Sequence, residues 1–308
     1  EVRRRGHGMG TNVAWGESNA VVYVNSVWGW RTEKIPDYLD ICCAIAGVVP
    51  EGPMYTDAGR RPAVVVDAGP AVDEILKRGG GEDPGGWMPL LGYVVGLRAT
   101  GGRVPLVLGM EGAAPPLCEE REEDGSWKGF CAAFGTTGSS ALVHVAGLTP
   151  EARSASQVAA LLQTPFPNRA PASSNVSNLV RQASQRNDFG LEVVAVTHAD
   201  VIAAWRSLDG RPGSPGPSAP VDLVALGNPH LSPLELRRLA KLCHHPRARH
   251  PAVRITATVG RDVLAAAPTE RKVLERFGVE FVQDTCWCML DEPMVPPRAR
   301  NVVTDSAK

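Results

Sequence analysis

Two cysteines near the end of the sequence are the residues best suited to bind a metal. Cys286 and Cys288 stand two residues apart in Asp284-Thr-Cys-Trp-Cys288. This spacing is too short for the usual zinc knuckle and for a thiol–disulfide oxidoreductase motif. A thiolate at a strand end, near helix N-termini, has a lowered pKa and binds soft metals. The alternative interpretation is a pair of buried structural thiols. The segment offers at most two ligands, whereas a cluster site needs about three or four.

A histidine and an amide occur together in Gly227-Asn-Pro-His230. A histidine placed after a strand is either a hydrogen-bonded loop residue or a titrating group in a ligand crevice. The segment alone does not decide between these interpretations. The expected position of His230 in the fold is what favours a functional role.

A third polar group lies near the start of the sequence and is suited to bind a carboxylate. It contains an arginine, which can hold a carboxylate through two parallel hydrogen bonds, together with hydroxyl and amide side chains. The same residue types commonly cap turns, so turn capping remains the alternative interpretation. The members are Glu17, Ser18, Asn19, Asn25, Ser26, Arg31 and Thr32.

Three histidines between residues 244 and 250 resemble a metal cluster only at first sight. His244, His245 and His250 are separated by prolines and arginines at spacings that fit no ordinary metal site. They also follow a predicted helix and precede a strand, which places them away from the expected ligand crevice. We expect a solvated loop there.

Strands and helices alternate regularly in the second half of the chain. Buried β-branched runs that alternate with helices predict a parallel sheet with right-handed crossovers. Ligands bind outside the carboxyl ends of such strands, where loops and helix N-termini gather. The predicted strands are 191–196, 221–226, 252–258 and 279–282. The residues at their carboxyl ends are Thr197-His198, Asn228-Pro-His230, Thr258 and Asp284-Thr-Cys-Trp-Cys288.

Capping residues mark the predicted helix starts. Thr197 and Asp200 have the spacing of a capping box, and Ser232 and Glu235 repeat it. Two further helices are predicted, from about residue 261 and over 269–277.

The first part of the chain, to about residue 150, mixes short apolar runs with Gly-rich turns. Leu39 to Ala46 has helical spacing and is predicted to be buried, with Cys42 and Cys43 in the core. The change of pattern predicts two regions, 1–150 and 151–308. The predicted class is α/β, with parallel or mixed sheets, flanking helices and three-layer βα units in the C-terminal region. The strands predicted in the first region are 20–24, 63–67, 104–108 and 140–145.

The composition is that of a soluble globular protein, with 44% hydrophobic and 21% charged residues. A net charge of −1 gives no indication of a nucleic-acid partner, and no apolar run suggests a membrane partner. Seven cysteines are too few for a disulfide scaffold, so we expect a cytoplasmic protein. The sequence begins without methionine and stops soon after the apolar pair Val302-Val303. We therefore expect a fragment of a longer polypeptide.

Five motifs, spread in order along the whole chain, resemble the large, catalytic part of the aconitase X family. They are Glu17-Ser-Asn-Ala-Val-Val-Tyr-Val-Asn-Ser-Val-Trp-Gly-Trp-Arg-Thr32, Asp37-Tyr-Leu-Asp-Ile-Cys42, Gly227-Asn-Pro-His-Leu-Ser232, Asp284-Thr-Cys-Trp-Cys288 and Thr304-Asp-Ser-Ala-Lys308.

The resemblance implies an aconitase-like α/β fold and a hydro-lyase acting on a small hydroxy acid, with iron or an iron–sulfur cluster as cofactor. Family members hold the metal through up to three cysteines. Cys286 matches one of them, Asn228 stands where some members have another, and the segment that carries the third has no counterpart in this sequence. The resemblance also implies a partner, the small aconitase X domain, fused or separate, which contributes a catalytic serine.

The same resemblance assigns roles to individual residues. The catalytic set would be His230, Ser306 and Lys308. The substrate-binding set would be Glu17, Ser18, Asn19, Asn25, Ser26, Arg31, Thr32 and Asn228, and the metal ligand Cys286.

Two branches of the family come into question. Asn228 and the intact Asp-Ile-Cys42 and Cys-Trp-Cys288 motifs resemble the branch that dehydrates cis-3-hydroxy-L-proline to pyrroline-2-carboxylate. Mevalonate 5-phosphate dehydratase, found in archaea, is the second hypothesis. A truncated, inactive fragment or binding module is the third.

Overall fold

The computed structural model describes residues 8–36, 38–117, 125–165, 175–209, 220–244 and 249–307. The chain forms two compact units. Unit 1 contains the described residues up to Leu117 together with Ser126–Arg206, and unit 2 contains Gly125 and the described residues from Ser207 onward.

Unit 1 is built on a parallel sheet with the strand order β3-β2-β1-β4. Val64 and Val66 pack in one core cluster, whereas Val65 packs with Leu106 and Leu108 in another. Side chains alternate between the two faces of a strand, so both faces of this sheet are buried, as continuous apolar runs predict for parallel strands. The strands are β1 (Val64–Asp67), β2 (Pro105–Leu108), β3 (His144–Val145) and β4 (Val193–Ala195).

Helices surround this sheet. None of the described helices is both long and apolar enough to cross a membrane. They are α1 (Ser18–Tyr23), α2 (Leu39–Ala46), α3 (Gly69–Lys77), α4 (Pro84–Arg98), α5 (Ser126–Thr137), α6 (Ala155–Leu162), α7 (Val176–Gln185) and α8 (His198–Asp209). Shorter helical turns cover Val24–Trp28, Pro53–Tyr55, Gly80–Glu82 and Pro150–Ala152.

The strand predicted over residues 20–24 is wrong, because this segment is helical. The carboxylate of Glu17 accepts a hydrogen bond from the backbone N–H of Ala20 at the start of α1. A π-helical turn, Val24–Trp28, directly follows α1. Val21, Val22 and Val24 are all buried. A short run that is apolar on all sides carries no period that separates a strand from a buried helix.

The predicted helix over residues 39–46 is confirmed. Its predicted burial is confirmed for Cys43 and wrong for the rest of the helix. Of the residues of α2, only Cys43 is buried, with 6% of its surface exposed. Cys42 is exposed. The helix ends at Gly47, which adopts the left-handed conformation with φ of 71°.

Unit 2 contains a second parallel sheet, with the strand order β7-β6-β5-β8. Its core packs Leu231 and Val259 of the sheet against Leu236, Leu264 and Leu274 of the helices. The strands are β5 (Leu223–Leu231), β6 (Arg254–Val259), β7 (Val279–Gln283) and β8 (Val302–Thr304), and the helices are α9 (Pro233–Cys243), α10 (Arg261–Ala266) and α11 (Pro268–Phe277). A short 3₁₀ turn covers Trp287–Met289.

Both predicted capping boxes form. The Thr197 backbone N–H donates to the Asp200 carboxylate at 2.8 Å, and the Asp200 N–H donates to the Thr197 hydroxyl at 3.3 Å. Ser232 and Glu235 make the same reciprocal pair at the start of α9. These local signals therefore determine where helices α8 and α9 begin.

The compact units separate between Arg206 and Ser207, and the division into the regions 1–150 and 151–308 stays a prediction. Strand β4 pairs with β1 in the sheet of unit 1. Thr197 and His198 therefore follow a strand of unit 1, whereas the other predicted strand ends belong to unit 2. Strand β8, which pairs with β5, is absent from the prediction.

Candidate active site

The carboxyl edge of the unit 2 sheet brings together three of the motifs that the sequence singled out. Nε2 of His230, at the end of β5, lies 2.8 Å from the backbone oxygen of Thr285, which follows β7. The Ser306 hydroxyl, which follows β8, donates to the backbone oxygen of Asn228. Because the strands are parallel, residues distant in the sequence meet at this edge; this was predicted for His230 and the segment 284–288, but not for Ser306.

A bulge in β5 shapes this edge. Leu226 pairs with Ala257 and Leu231 pairs with Val259, so the segment between them advances five residues on β5 and two on β6. The three extra residues fall in Gly227-Asn-Pro-His230, where Gly227 has a φ of 86° and the Asn228–Pro229 peptide is cis. The hydroxyl of Thr258 donates to the backbone oxygen of Gly227. Bulges of this kind redirect side chains and are frequent beside active sites.

The hydrogen bond to Thr285 determines which nitrogen of His230 carries the proton. A carbonyl oxygen only accepts hydrogen bonds, so Nε2 must be the donor. In the neutral ring, Nδ1 is then the atom with the lone pair. The backbone of the segment 284–288, which we call the cysteine motif, thus orients His230.

The carboxylate of Asp284, the first residue of the cysteine motif, is paired with Arg261. Its Oδ1 accepts the backbone N–H of Arg261 at 2.9 Å, and its Oδ2 pairs with the Arg261 guanidinium. The backbone N–H of Arg261 and then its side chain hold the pKa of Asp284 below its ordinary value. Asp284 therefore ties the cysteine motif to the start of α10.

Unit 2 is expected to lose stability in acid because of two such carboxylates. The backbone N–H groups of Arg300 and Asn301 lower the pKa of Asp222, as those of Arg261 lower the pKa of Asp284. A lowered folded-state pKa gives a contribution that is complete above the unfolded value, 3.8, and is lost as the pH falls through the folded value.

Thermal unfolding of the chain between pH 6 and pH 2 measures this dependence. The double variant Asp222→Asn/Asp284→Asn should show a flatter decline than the parent below about pH 4. An equally steep decline in both proteins would contradict the assignment.

Cys286 is partly exposed and Cys288 is exposed, and neither forms a disulfide. The interpretation as buried structural thiols is therefore wrong for Cys288. Among the described residues, no group of three or more His, Cys, Asp or Glu side chains is placed to hold a metal ion. The residues that the structure describes thus do not form a complete iron site, and Cys286 stands as a single candidate ligand.

In unit 1, Asn25 and Thr32 form a buried pair. The Asn25 amide donates to the backbone oxygens of Thr32 and Ala141 at 2.8 and 2.9 Å, and its Oδ1 accepts the Thr32 N–H at 3.0 Å. The Thr32 hydroxyl accepts the Trp15 N–H at 3.0 Å. Both side chains bind backbone groups 7 to 116 residues away, so in the described structure they act as long-range internal contacts rather than as local turn caps.

Ser26 has the same internal character. Its hydroxyl accepts the backbone N–H of Val143 at 3.0 Å, and only 2% of the residue is exposed. It therefore fastens the π-helical turn to the segment before β3.

Arg60 organises this region and was missed from the sequence. Its guanidinium is 1% exposed and donates to both carboxylate oxygens of Glu151, to the side chain and backbone of Asn25, and to the backbone oxygen of Met54. Nε2 of His144 lies 2.8 Å from the Arg60 backbone oxygen, and burial lowers the pKa of His144, which keeps its ring neutral. No local motif marks an arginine whose partners are 35 and 91 residues away.

Arg31 already holds a carboxylate. Its Nη1 donates to the backbone oxygen of Tyr55 at 2.8 Å, and its Nη2 pairs with Asp57, whose side chain is 85% exposed. The Arg31 guanidinium lowers the pKa of Asp57. Glu17 caps α1 and Ser18 is exposed at its first turn. The side chain of Asn19 and all of Lys308 lie outside the described residues.

Three family models match successive parts of the chain. They are the aconitase X first domain over residues 4–58, the second domain over 62–170 and the third domain over 221–308. The chain belongs to the aconitase X family. Apart from Gly125, the described residues that the first and second domain models match lie in unit 1, and those that the third model matches lie in unit 2.

Curated relatives in the aconitase X family are dehydratases by name. Proteins named cis-3-hydroxy-L-proline dehydratase from Hypocrea jecorina and Pseudomonas aeruginosa are each 38% identical to the chain over 301 residues, which is 97% of this chain and 43% of the relative. The phosphomevalonate dehydratase large subunit of Thermococcus kodakarensis is 26% identical over 97% of this chain and 62% of its own length.

The crystal structure of Thermococcus kodakaraensis aconitase X in its holo-form resembles the chain with a TM-score of 0.66 at 25% identity. The match covers 98% of this chain and 63% of that chain, which confirms the aconitase-like α/β fold. Among the curated relatives, the chain spans less than half the length of the two cis-3-hydroxy-L-proline dehydratases.

Proposed function

We propose that this chain is part of the large, catalytic portion of a dehydratase that removes water from cis-3-hydroxy-L-proline. The observation that carries the proposal is the 38% identity to two cis-3-hydroxy-L-proline dehydratases over 97% of the chain. The phosphomevalonate dehydratase large subunits are 23–29% identical.

The reaction defines what the site must supply. The proton on carbon 2 leaves, and the hydroxyl on carbon 3 departs as water, which gives an enamine that tautomerises to pyrroline-2-carboxylate. The protein must bind the carboxylate, accept one proton and help the hydroxide to leave.

His230 is the residue of unit 2 that we assign to proton transfer. Its Nε2 is committed to the Thr285 carbonyl, so a proton is exchanged at Nδ1. Ser306 bonds to the backbone of Asn228, which makes it a positioning residue for the bulge in the described structure. Asn228 and Lys308 keep their proposed substrate-binding and catalytic roles.

Arg31 is the residue of unit 1 that we assign to the substrate carboxylate. The Asp57 carboxylate on its Nη2 is largely exposed, so an incoming carboxylate can replace it with the same pairing geometry. Asn25, Ser26 and Thr32 make buried contacts inside the fold. We therefore propose that these three residues position Arg31 and do not themselves contact the substrate.

Iron is proposed as the cofactor of the complete protein, with Cys286 as one ligand. Ligands beyond the described residues must complete its coordination, because those residues hold no group of three. We propose the small aconitase X domain as the partner that completes the enzyme, and the cytoplasm as its location, since free thiols persist in a reducing compartment.

The Cys286→Ser variant of the complete protein should bind iron at least about tenfold more weakly. The reason is that a hydroxyl is a far poorer ligand for a soft site than a thiolate. Metal analysis after desalting measures the loss, and Cys42→Ser, on the exposed side of α2, is the matched control. Equal iron content in both variants would remove Cys286 from the ligand set.

An assay on two substrates tests the function itself. The chain, joined to the additional polypeptide that its relatives carry, should consume cis-3-hydroxy-L-proline and form pyrroline-2-carboxylate. Consumption of mevalonate 5-phosphate instead would establish the second hypothesis. That hypothesis is motivated by the Thermococcus kodakarensis large subunit, which is 26% identical over 97% of this chain. If neither substrate reacts in the iron-loaded protein, the chain is an inactive member of the family.

A further inference from the structure

Helix α2 exposes an apolar surface that the proposed reaction does not use. Its sequence, Leu-Asp-Ile-Cys-Cys-Ala-Ile-Ala, contains one charged residue. Four large apolar side chains on and beside it are exposed, and we call them the α2 face. They are Tyr38 (68% exposed), Ile41 (54%), Ile45 (83%) and Val48 (65%).

The two isoleucines of the α2 face are neighbours on the helix. Ile41 and Ile45 are four residues apart and lie side by side on one helix surface, and Cys43 is the residue of α2 that is buried in unit 1. An amphipathic helix normally turns its apolar stripe toward a core. Large apolar side chains that a helix instead exposes together mark a surface for a protein partner, a membrane or a ligand.

A second copy of the chain is a poor occupant of the α2 face. A helix of eight residues is about 12 Å long. A symmetric contact confined to it falls short of the roughly 800 Å² per partner that specific interfaces bury.

Polypeptide of the same dehydratase fits better. The hydroxyproline dehydratases match this chain over 97% of its length, and the match takes up 43% of theirs. More than half of each relative thus lies outside the matched region. A tethered domain needs little area, because its effective concentration is high.

We infer that the α2 face is the docking surface for the part of the dehydratase polypeptide that lies outside the region matched by this chain. The surface that contacts it must be apolar, since the α2 face offers aliphatic and aromatic side chains. The inference rests on the relatives' lengths and on exposure, and it is independent of the substrate proposed above.

Alkylation of neighbouring cysteines tests the contact. In the isolated chain, iodoacetamide should modify Cys42, which is exposed, and spare Cys43, which is buried. In a chimera that places this chain in the Pseudomonas aeruginosa dehydratase instead of its matched region, modification of Cys42 should slow by about tenfold or more. Equal rates in the two proteins, or an unreactive Cys42 in the isolated chain, would overturn the inference, whatever the chimera's activity.

A charged variant gives a second, independent measurement. Ile41→Glu/Ile45→Glu should leave the thermal midpoint of the isolated chain unchanged and abolish the protection of Cys42 in the chimera. Leu242→Glu, at a 74% exposed position of α9, is the control and should preserve that protection. If the chimera does not fold, the remaining Pseudomonas aeruginosa polypeptide mixed with the chain gives the same readout. Unfolding of the isolated double variant, or intact protection of its Cys42, would contradict docking at the α2 face.

Discussion

Replacing Arg60 with methionine is expected to lower the free energy of unfolding by about 3–5 kcal/mol. The variant leaves the Glu151 carboxylate, 16% exposed, without the guanidinium that it contacts at 2.7 Å. It also removes the donors to Asn25 and Met54. Urea denaturation of the chain measures the loss.

Arg186→Met is the matched control for Arg60→Met. Arg186 pairs with Asp188 on the surface, where the two side chains are 51% and 29% exposed, so its loss is expected to be at most about 1 kcal/mol. The double variant Arg60→Met/Glu151→Met should recover part of the loss, because it leaves no unpaired buried charge. If Arg60→Met destabilises the chain no more than Arg186→Met does, the buried network is not what holds Asn25 and Thr32 in place.

The second large effect is expected for Gly227→Ala, at the start of the β5 bulge. A Cβ at this position would lie 2.2 Å from the backbone oxygen of Thr258, and φ is 86°. The left-handed conformation alone is unfavourable for alanine by about 1–3 kcal/mol, and the contact forces β5 and β6 apart. We expect a loss of stability greater than this conformational term, together with displacement of His230.

Gly79→Ala separates the two causes. Gly79 has nearly the same φ, 88°, and open space around its Cβ position, so it should show the conformational term only. Urea denaturation compares the stabilities, and the imidazole nitrogen signals of His230 in an NMR spectrum report its hydrogen bond to Thr285. Equal losses in both variants, with unchanged His230 signals, would mean that the bulge tolerates a side chain.

Local signals in the sequence were sufficient for much of the fold. The continuous valines of β1 predicted a strand, and the caps at Thr197 and Ser232 placed two helix starts. The carboxyl-edge rule brought His230 and the cysteine motif together. These inferences succeeded because each depends on residues a few positions apart or on a general property of parallel sheets.

Most of the failures depend on long-range contacts; the exception is the strand wrongly predicted over residues 20–24, where a short apolar run has no decisive period. Nothing within the segment 191–196 shows that β4 pairs with β1, more than a hundred residues earlier. Whether α2 is buried depends on what packs against it, not on the spacing of its own apolar residues. Arg60 was missed because its partners are distant, and the roles of Asn25 and Thr32 changed once those partners were known.

The bond between Ser306 and Asn228 has a consequence for how the protein is made. The two residues are 78 positions apart, and β8, which precedes Ser306, pairs with β5 along its whole length. During synthesis, β5 and β6 leave the ribosome well before β8, and folding proceeds from the N-terminal side. The hydrogen bond from Ser306 to the bulge therefore forms only when the segment around Ser306 has emerged. A nascent chain stalled before this point would have strands β5 and β6 without the hydrogen bond that Ser306 donates to Asn228.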